Sequence, residues 1–562
     1  MSPSAVADVA AETFLTSLET GRLEWSRLRS FPEQDRADRE RGDEVLREVE
    51  VFFAEHVDPT EVDETRSLPA GLAEGLQERG FLRLGIAPEL GGLGLSPYNV
   101  FRVVAQACAH SLPAGQILAI QNGVGAAALL PGLPEGSVRE FLGRRLAEGI
   151  VSGFGDTDST GQNNVRKSLT ATPVEGGYRL DGEKLFTGNG PIADLVGVSA
   201  MMPGENGPMV GAFFLDTDTP GFSVTSRIEF MGSRGLPNGA LRFDGVFVPE
   251  EQVLVDRRTG QLPASVGMMA LQGRIFFTGA PAMAVARRCL EWSREFVRRR
   301  SVDGRGLGEY EEIQHLLTAS LAEVYAMESV ARWSLVGAGP SDRLFERFAA
   351  KNLLVRGSWR IVDRTMSLFG GEGFETVPSK LRRGAVPTPL ERAFRDARGL
   401  RIAGNIDFQL DNHLGRMVLS AVQRAGAARP TARAEEPRDP RLSPANLAHL
   451  AELDERVREF HRFAADLVDT VPDQAELFAR ERTVVLLGRI AAELFTASAV
   501  LARAAAVEPG GTEQELADLH CVEAHHRLAG LFGRLTAAGG PDHAKISRNW
   551  LAAEGADPLT RH

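Results

Sequence analysis

Cysteine is scarce in this chain: there are three, Cys108, Cys289 and Cys521, far apart and without paired spacing. That excludes a disulfide framework and the usual zinc-ligand patterns, and it suits a reducing compartment. No apolar run reaches the length of about eighteen residues that a membrane-crossing helix needs. The first residues, MSPSAVADVAAETF, lack a basic start followed by an apolar core, so they do not read as a secretory signal and the expected location is the cytoplasm. Positive charge is not in excess either. Lys and Arg total 63 against 75 Asp and Glu, for a net charge of −12, which argues against a nucleic-acid partner. The basic run Arg298-Arg299-Arg300 is short and reads as a solvated helix end. Internal repeats and low-complexity blocks are absent as well.

What is present is an ordinary globular composition, 43% hydrophobic and 25% charged over 562 residues, long enough for several domains. Residues 1–42 are polar and charge-rich and are expected to form an arm or a loosely packed lead-in. Over 43–150 the apolar spacing is helical, with Val45, Val49, Phe52 and Phe53 on one helix and Leu72, Leu76 and Phe81 on another. The glycine-rich stretch 87–95 lacks the Gly-Lys-Ser/Thr ending of a phosphate loop and reads as a packing loop. Short β-prone runs separated by Gly, Pro, Asp and Asn fill 151–258. Helical spacing returns over 259–428, a proline-rich charged linker spans 429–444, and 445–562 is a helical tail with Leu486, Leu487, Ile490, Leu494 and Leu501 near one face. The expected fold class is α+β, mostly α: an N-terminal helical domain, a middle β domain, a four-helix-bundle domain and an extra helical tail domain.

Several runs occur in a telling order. They are Leu180-Asp-Gly-Glu-Lys-Leu-Phe-Thr-Gly-Asn-Gly190, Thr219-Pro-Gly-Phe222, Met231-Gly-Ser-Arg-Gly235, Phe243-Asp-Gly-Val-Phe-Val-Pro249, Arg300 with Gln314, Gly370-Gly371-x-Gly373-Phe374, and Arg395-Asp396-Ala-Arg398. Together they resemble the acyl-CoA dehydrogenase family, most of all its very-long-chain branch, which has such a tail. The resemblance implies FAD as cofactor and an acyl-CoA or acyl-carrier-protein thioester as substrate. It also implies a homodimer, with electron-transferring flavoprotein or oxygen as electron acceptor and peripheral membrane contact as an option. By the same resemblance, Arg300 and Gln314 hold the flavin nucleotide, and Gly370-Gly371 reaches its adenosine part across the dimer. Asp156, Thr157, Gln162, Phe186 and Gly188 stand at the ring-facing positions. No metal is implied, and the His525-His526 pair reads as packing.

The departures from the family pattern are as specific as the matches. The register set by Arg395-Asp396 puts Gly404 where the family's catalytic glutamate draws the α-proton from the substrate. The alternative position for that acid, on an earlier helix before Arg274, is Gly273. At the ring-facing threonine stands Asp156, whose charge would repel a reduced flavin unless protonated. Gly188 replaces a Ser/Thr, Phe186 a tryptophan, and Asp303 the Phe of a turn. Asp407, three residues beyond Gly404, and Asp156 are the candidate replacement bases, with Glu372 a third. Asp407 has the competing reading of a helix N-cap. The stretch 379–389 is extra relative to the family and is expected at the pocket rim or a subunit contact. The expected function is an acyl-CoA dehydrogenase-like flavoprotein oxidoreductase performing α,β-desaturation with a displaced base. The alternatives are a flavin-dependent monooxygenase on the same fold, or an inactive thioester-binding partner subunit.

Overall fold

The computed structural model describes residues 14–161, 166–205, 207–339, 342–426, 437–508, 510–537 and 541–552. Gln162, the expected arm before Phe14 and the first half of the expected linker lie outside the described residues. The rest is mostly helical around one sheet, the α+β class that the sequence implies.

The N-terminal helices form because their apolar residues repeat at helical spacing and their ends are capped. Arg36–His56 begins at Asp35, whose carboxylate accepts from the backbone N–H groups of Ala37 and Asp38, and it buries Val45, Val49, Phe52 and Phe53. The helix Leu112–Gly123 is buried on nearly every side, so its residues are mostly small or apolar, and its buried Gln121 is satisfied by the Ile150 carbonyl oxygen and the Ser152 N–H.

The middle section is an eight-stranded sheet. Its strands are β1 (Ser152–Gly155), β2 (Thr170–Val174), β3 (Gly177–Gly188), β4 (Leu195–Met202), β5 (Met209–Asp216), β6 (Phe222–Arg227), β7 (Asn238–Pro249) and β8 (Val253–Leu254). The order is β6-β7-β3-β2-β4-β5-β8, with β1 added parallel to β4. The long β3–β7 pair slips register between Lys184 and Thr187, and Phe186 sits in that irregularity at φ 54°.

Long helices follow: Ala280–Arg299, Glu311–Leu335, Leu344–Phe369 and Asp407–Ala425, then Pro444–Thr470, Glu481–Ala505 and Thr512–Thr536 in the tail. The tail is no separate body tethered to the bundle. Helix Glu481–Ala505 crosses Asp407–Ala425 at two glycines. A Cβ on Gly488 would lie 1.8 Å from the Asp411 carbonyl oxygen, and one on Gly415 would lie 2.0 Å from that of Val484. Only hydrogen lets the two backbones approach so closely. Helix 481–505 is also the one described helix long and apolar enough to cross a membrane, yet 78% of that window is buried inside the protein.

The lead-in does not behave as expected. From Phe14 onward it packs into the interior, because Phe14, Leu18, Leu23, Trp25, Leu28 and Phe31 bring six buried side chains to a stretch whose charges dominate its composition. Phe14 lies between Phe345 of the bundle and Phe495 of the tail, at ring-centroid distances of 6.3 and 5.7 Å. Its N–H donates to buried Glu346, and His461 Nδ1 lies 3.1 Å from the Leu18 carbonyl oxygen. The N-terminal segment is thus a strap joining bundle and tail.

Burial pushes the Glu346 carboxyl up to about 7, with the Phe14 N–H and the nearby Arg343 and Arg347 pulling the other way. A carboxyl raised above its ordinary 4.5 contributes stability that is complete below that value and is lost as pH rises through about 7. The wild-type protein is therefore expected to lose stability between pH 5 and pH 8, by on the order of 3 kcal/mol in denaturant titrations, and Glu346→Gln to flatten that slope. Phe14→Ala is expected to cost about 3–5 kcal/mol at any pH in the same measurement.

Candidate functional site

Gly404 lies at φ 60° in the turn between the helices Leu390–Leu400 and Asp407–Ala425. A Cβ there would meet Phe277 Cδ1 at 3.2 Å and Arg274 Cγ at 3.5 Å. Both belong to the segment where helix Ala264–Gln272 passes through a π-helical turn, Ile275–Gly279, into Ala280–Arg299. Such turns widen the helix and re-aim its side chains. The same segment presses on helix Leu112–Gly123, since a Cβ on Gly273 would lie 1.6 Å from the Gly123 carbonyl oxygen. One turn back on that helix, Ile120 Cδ1 lies 2.7 Å from the position of a Cβ on Gly188. Gly188, Gly273 and Gly404 are therefore linked in turn through Ile120, Gly123 and the Arg274–Phe277 segment. Packing closes Gly273 to any side chain, and it leaves beside Gly404 only a wall of Phe277 and Arg274.

Asp407 is committed elsewhere. It is the first residue of its helix and makes no N-cap. Its Oδ2 accepts from Arg401 Nη2 at 2.6 Å and from Arg356 Nε at 3.2 Å. Burial pushes this carboxyl up, but the two guanidiniums outweigh that and hold it below the usual carboxylate range. A proton acceptor so placed is weak, and the displaced-base role expected of Asp407 does not fit the geometry. Asp411, one turn on, accepts from Arg356 Nη2 at 2.5 Å, Arg489 Nε at 2.8 Å and Asn352 Nδ2 at 2.9 Å. Glu372, the third acid considered, pairs with Arg299 at 3.2 Å and Arg300 at 3.9 Å.

Asp156 follows β1 and is also satisfied. Its Oδ1 accepts from Lys167 Nζ and Ser199 Oγ, each at 2.7 Å. Burial raises its pKa, while Lys167 and Ser199 bring it below the ordinary value overall. The acid is therefore a carboxylate paired with Lys167 and not protonated. Beneath it Lys184 and Asp158 form a fully buried pair at 2.6 Å.

The cations near Gly404 are less well matched. Arg274 Nη1 is buried and has no hydrogen-bond partner. Burial brings its guanidinium down to about 10, with Asp156 attracting it from a distance. Lys351, buried on helix Leu344–Phe369, donates to the Asn405 carbonyl oxygen at 2.9 Å, and burial together with Arg274 brings it down to about 7. In the sequence Arg274 serves only as a register mark, and nothing singles out Phe277 or Lys351. No motif distinguishes a mid-helix lysine that touches a loop 54 residues away.

The nucleotide-side positions are open. A Cβ added to Gly370 or Gly371 would have nothing within 4 Å, so bare backbone faces free space. The Arg300 side chain is 54% exposed and engaged only loosely. Gln314 is exposed and donates to the Gly308 carbonyl oxygen at 3.0 Å. Phe186 is also 54% exposed and stacks on Phe230, with ring centroids 6.3 Å apart. Thr157 is held in place by the Leu185 N–H, which donates to its carbonyl oxygen at 2.7 Å. An available guanidinium, a bare glycine cradle and an uncovered aromatic face are features that a flavin nucleotide would use. Asp303 has a local explanation: with Gly304 it makes a two-residue turn at φ 51° and 77° between two short paired strands.

Two side features stand apart from this place. A cavity of about 130 Å³, lined by His110, Arg234, Arg288, Trp292, Arg392 and Asp396 among others, abuts the end of the extra stretch at Pro389. His525 lies against Glu452 at 3.3 Å and stacks on His449, and no metal-binding group of acids, histidines and cysteines occurs among the described residues.

Three family models match the chain in order: acyl-CoA dehydrogenase N-terminal domain over residues 39–145, middle domain over 153–246 and C-terminal domain over 265–416. Among relatives, the probable acyl-CoA dehydrogenase FadE10 of Mycobacterium tuberculosis is 30% identical over 399 residues, 69% of this chain and 60% of its own length. The human mitochondrial very long-chain specific acyl-CoA dehydrogenase is 26% identical over 370 residues, 64% of this chain and 54% of its own length. The matched part thus spans little more than half the length of these relatives. In fold, an acyl-CoA dehydrogenase from Bacillus anthracis, solved with FAD, superposes with a TM-score of 0.74 at 18% identity, covering 98% of this chain and 96% of that one. Butyryl-CoA dehydrogenase from Megasphaera elsdenii gives 0.57 at 22% identity, covering 66% of this chain and 96% of that one.

The two glycine classes at the site make opposite predictions. Gly273→Ala must displace the Gly123 backbone and is expected to lower the unfolding free energy by about 1–3 kcal/mol or more. Gly371→Ala, in open space, is expected to leave the denaturation midpoint unchanged.

Proposed function

We propose, from the premise that this chain belongs to the acyl-CoA dehydrogenase family, that it is an FAD-binding oxidoreductase acting on an acyl thioester without the family's carboxylate base. The observation that carries this reading is the contrast within one site. Residues suited to the nucleotide are exposed and held by few contacts, while the base position is a glycine walled by Phe277 and Arg274.

In this reading Arg300 would bind the pyrophosphate by charge-assisted hydrogen bonds, and the open Gly370-Gly371 backbone would receive the adenosine end from a second copy of the chain. That copy would also cover Phe374, which is 78% exposed beside the cradle. Phe186 would give the ring system a face to stack on, and Thr157 and Gly188 would present backbone at its edge. Asp156, already paired with Lys167, leaves the local charge near neutral. FAD, when bound, supplies a hydride acceptor. The thioester is carried by CoA or by a carrier protein, and the electrons pass to an electron-transferring flavoprotein or to oxygen.

The second reading, flavin-dependent oxygenation on this fold, is favoured by a specific observation. Both positions that could hold the α-proton base are closed or walled by packing, and oxygen chemistry at a flavin needs no such base. The electron acceptor separates the two.

Purified protein supplied with FAD is expected to retain it, giving the flavin absorption bands, and Gly371→Ala is expected to weaken that retention. Anaerobic butyryl-CoA is expected to bleach the wild type slowly. A positioned base is worth about 10²–10⁴-fold, so Gly404→Glu is expected to speed bleaching by about a hundredfold if desaturation is the reaction. Protein that takes up neither FAD nor acyl-CoA would sink the proposal, and turnover confined to reduced flavin with oxygen would select the second reading.

A further inference from the structure

The place beside Gly404 has reversed its charge. Where the family carries a carboxylate, this chain has none and keeps two cations, a half-buried Arg274 and a buried Lys351. Each nearby carboxylate is already spoken for. Asp407 is held by Arg401 and Arg356, Asp411 by Arg356, Arg489 and Asn352, and Asp156 by Lys167 and Ser199. Arg274 and Lys351 are left over. Arg274 has a buried Nη1 with no hydrogen-bond partner, and Lys351 reaches only the Asn405 carbonyl oxygen. His413, the other titratable group facing them, is kept neutral by burial and by Arg274, which bring it down to about 4. A guanidinium with a buried N–H that no protein group accepts is under-satisfied, and a carboxylate brought in from outside is its strongest partner.

We propose that Arg274 receives a carboxylate of the substrate, so that the acyl group taken here is one bearing its own negative charge, a short dicarboxylic acyl thioester. The inference rests on the acyl-thioester reading above and specifies the acyl group. The length follows from position. The Arg274 stem lies 3.5 Å from where a Cβ of residue 404 would be. The missing base would have faced the α-carbon from there, so the partner carboxylate must sit within a few bonds of that carbon. Phe277, at 3.2 Å on the same side, would cover the acyl group and exclude the water that otherwise competes for the guanidinium. Lys351, beyond the Asn405 carbonyl, adds positive potential without touching the ligand.

The test is a binding series on the full chain with FAD present, by calorimetry, using malonyl-CoA and succinyl-CoA against propionyl-CoA and butyryl-CoA, with free malonate and succinate as separate arms. The dicarboxylic thioesters are expected to bind about 10- to 100-fold more tightly than the monocarboxylic ones, the range for a charge-assisted pair in a buried site. Arg274→Gln is expected to erase that difference by weakening only the dicarboxylic thioesters, and Arg274→Lys to restore part of it. Gly404→Glu, which supplies an internal carboxylate to Arg274, is expected to abolish the preference as well. Equal affinity of succinyl-CoA and butyryl-CoA for the wild type overturns the inference and leaves the acyl-thioester reading standing. Binding of free dicarboxylates with no binding of any thioester overturns both, and so does the absence of all binding. The wild-type series decides these outcomes even if a variant fails to fold.

Discussion

The site is organised by an ionic knot: Arg356, Arg401 and Arg489 closed on Asp407 and Asp411. Two carboxylates taken largely out of water are stable only if each finds its partners with good geometry, and here each accepts from at least two donors on arginines that remain partly exposed. The knot joins three helices. Arg356 comes from Leu344–Phe369, the aspartates from the start of Asp407–Ala425, and Arg489 from Glu481–Ala505 of the tail. The turn containing Gly404 hangs from it, with Lys351 gripping the Asn405 carbonyl from one side. The glycine crossing of Gly415 and Gly488 then brings the tail helix within backbone contact of the helix that this turn leads into. The tail therefore belongs to the structural support of the site.

That arrangement holds the frame of the site through pairs that do not involve residue 404. Positioning depends on pairs remote from the reacting atoms: the knot, the Ser233 N–H donating to buried Asp396 at 2.6 Å, and the Gly123–Gly273 backbone contact. None of these requires an acid at residue 404. The glycine costs the fold nothing obvious, because φ 60° favours glycine over any side chain. What it changes is electrostatic. With glycine at 404 no side chain from that position reaches Arg274, whose buried Nη1 has no hydrogen-bond partner.

The N-terminal strap shows the same logic on the scale of the whole chain. Its aromatic residues complete a core that neither the bundle nor the tail closes alone, with Phe14 between Phe345 and Phe495 and Trp25 Nε1 donating to Asp439 at 3.3 Å. The family models end at residue 416. The strap and the tail lie outside them and stabilise each other.

Much of this is legible in the amino-acid order. The succession of helical, strand and helical texture follows from local periodicity, and the spaced motifs put Gly404 and Gly273 where acids would stand. Such features depend on residues close together in the chain. The lead-in escapes that kind of reading because composition averages over charges and hides six apolar residues whose partners lie hundreds of positions away. The roles of Asp407 and Asp156 are equally out of reach. Whether a carboxylate is a free base or half of an ion pair depends on Arg356, Arg401, Lys167 and Ser199, which only folding brings to within 2.6–3.2 Å. Sequence alone determined that glycines stand at residues 404 and 273. Tertiary packing decided that Asp407 and Asp156 are each half of an ion pair and that Arg274 Nη1 has no partner, because pairing between charges is a property of distance in space.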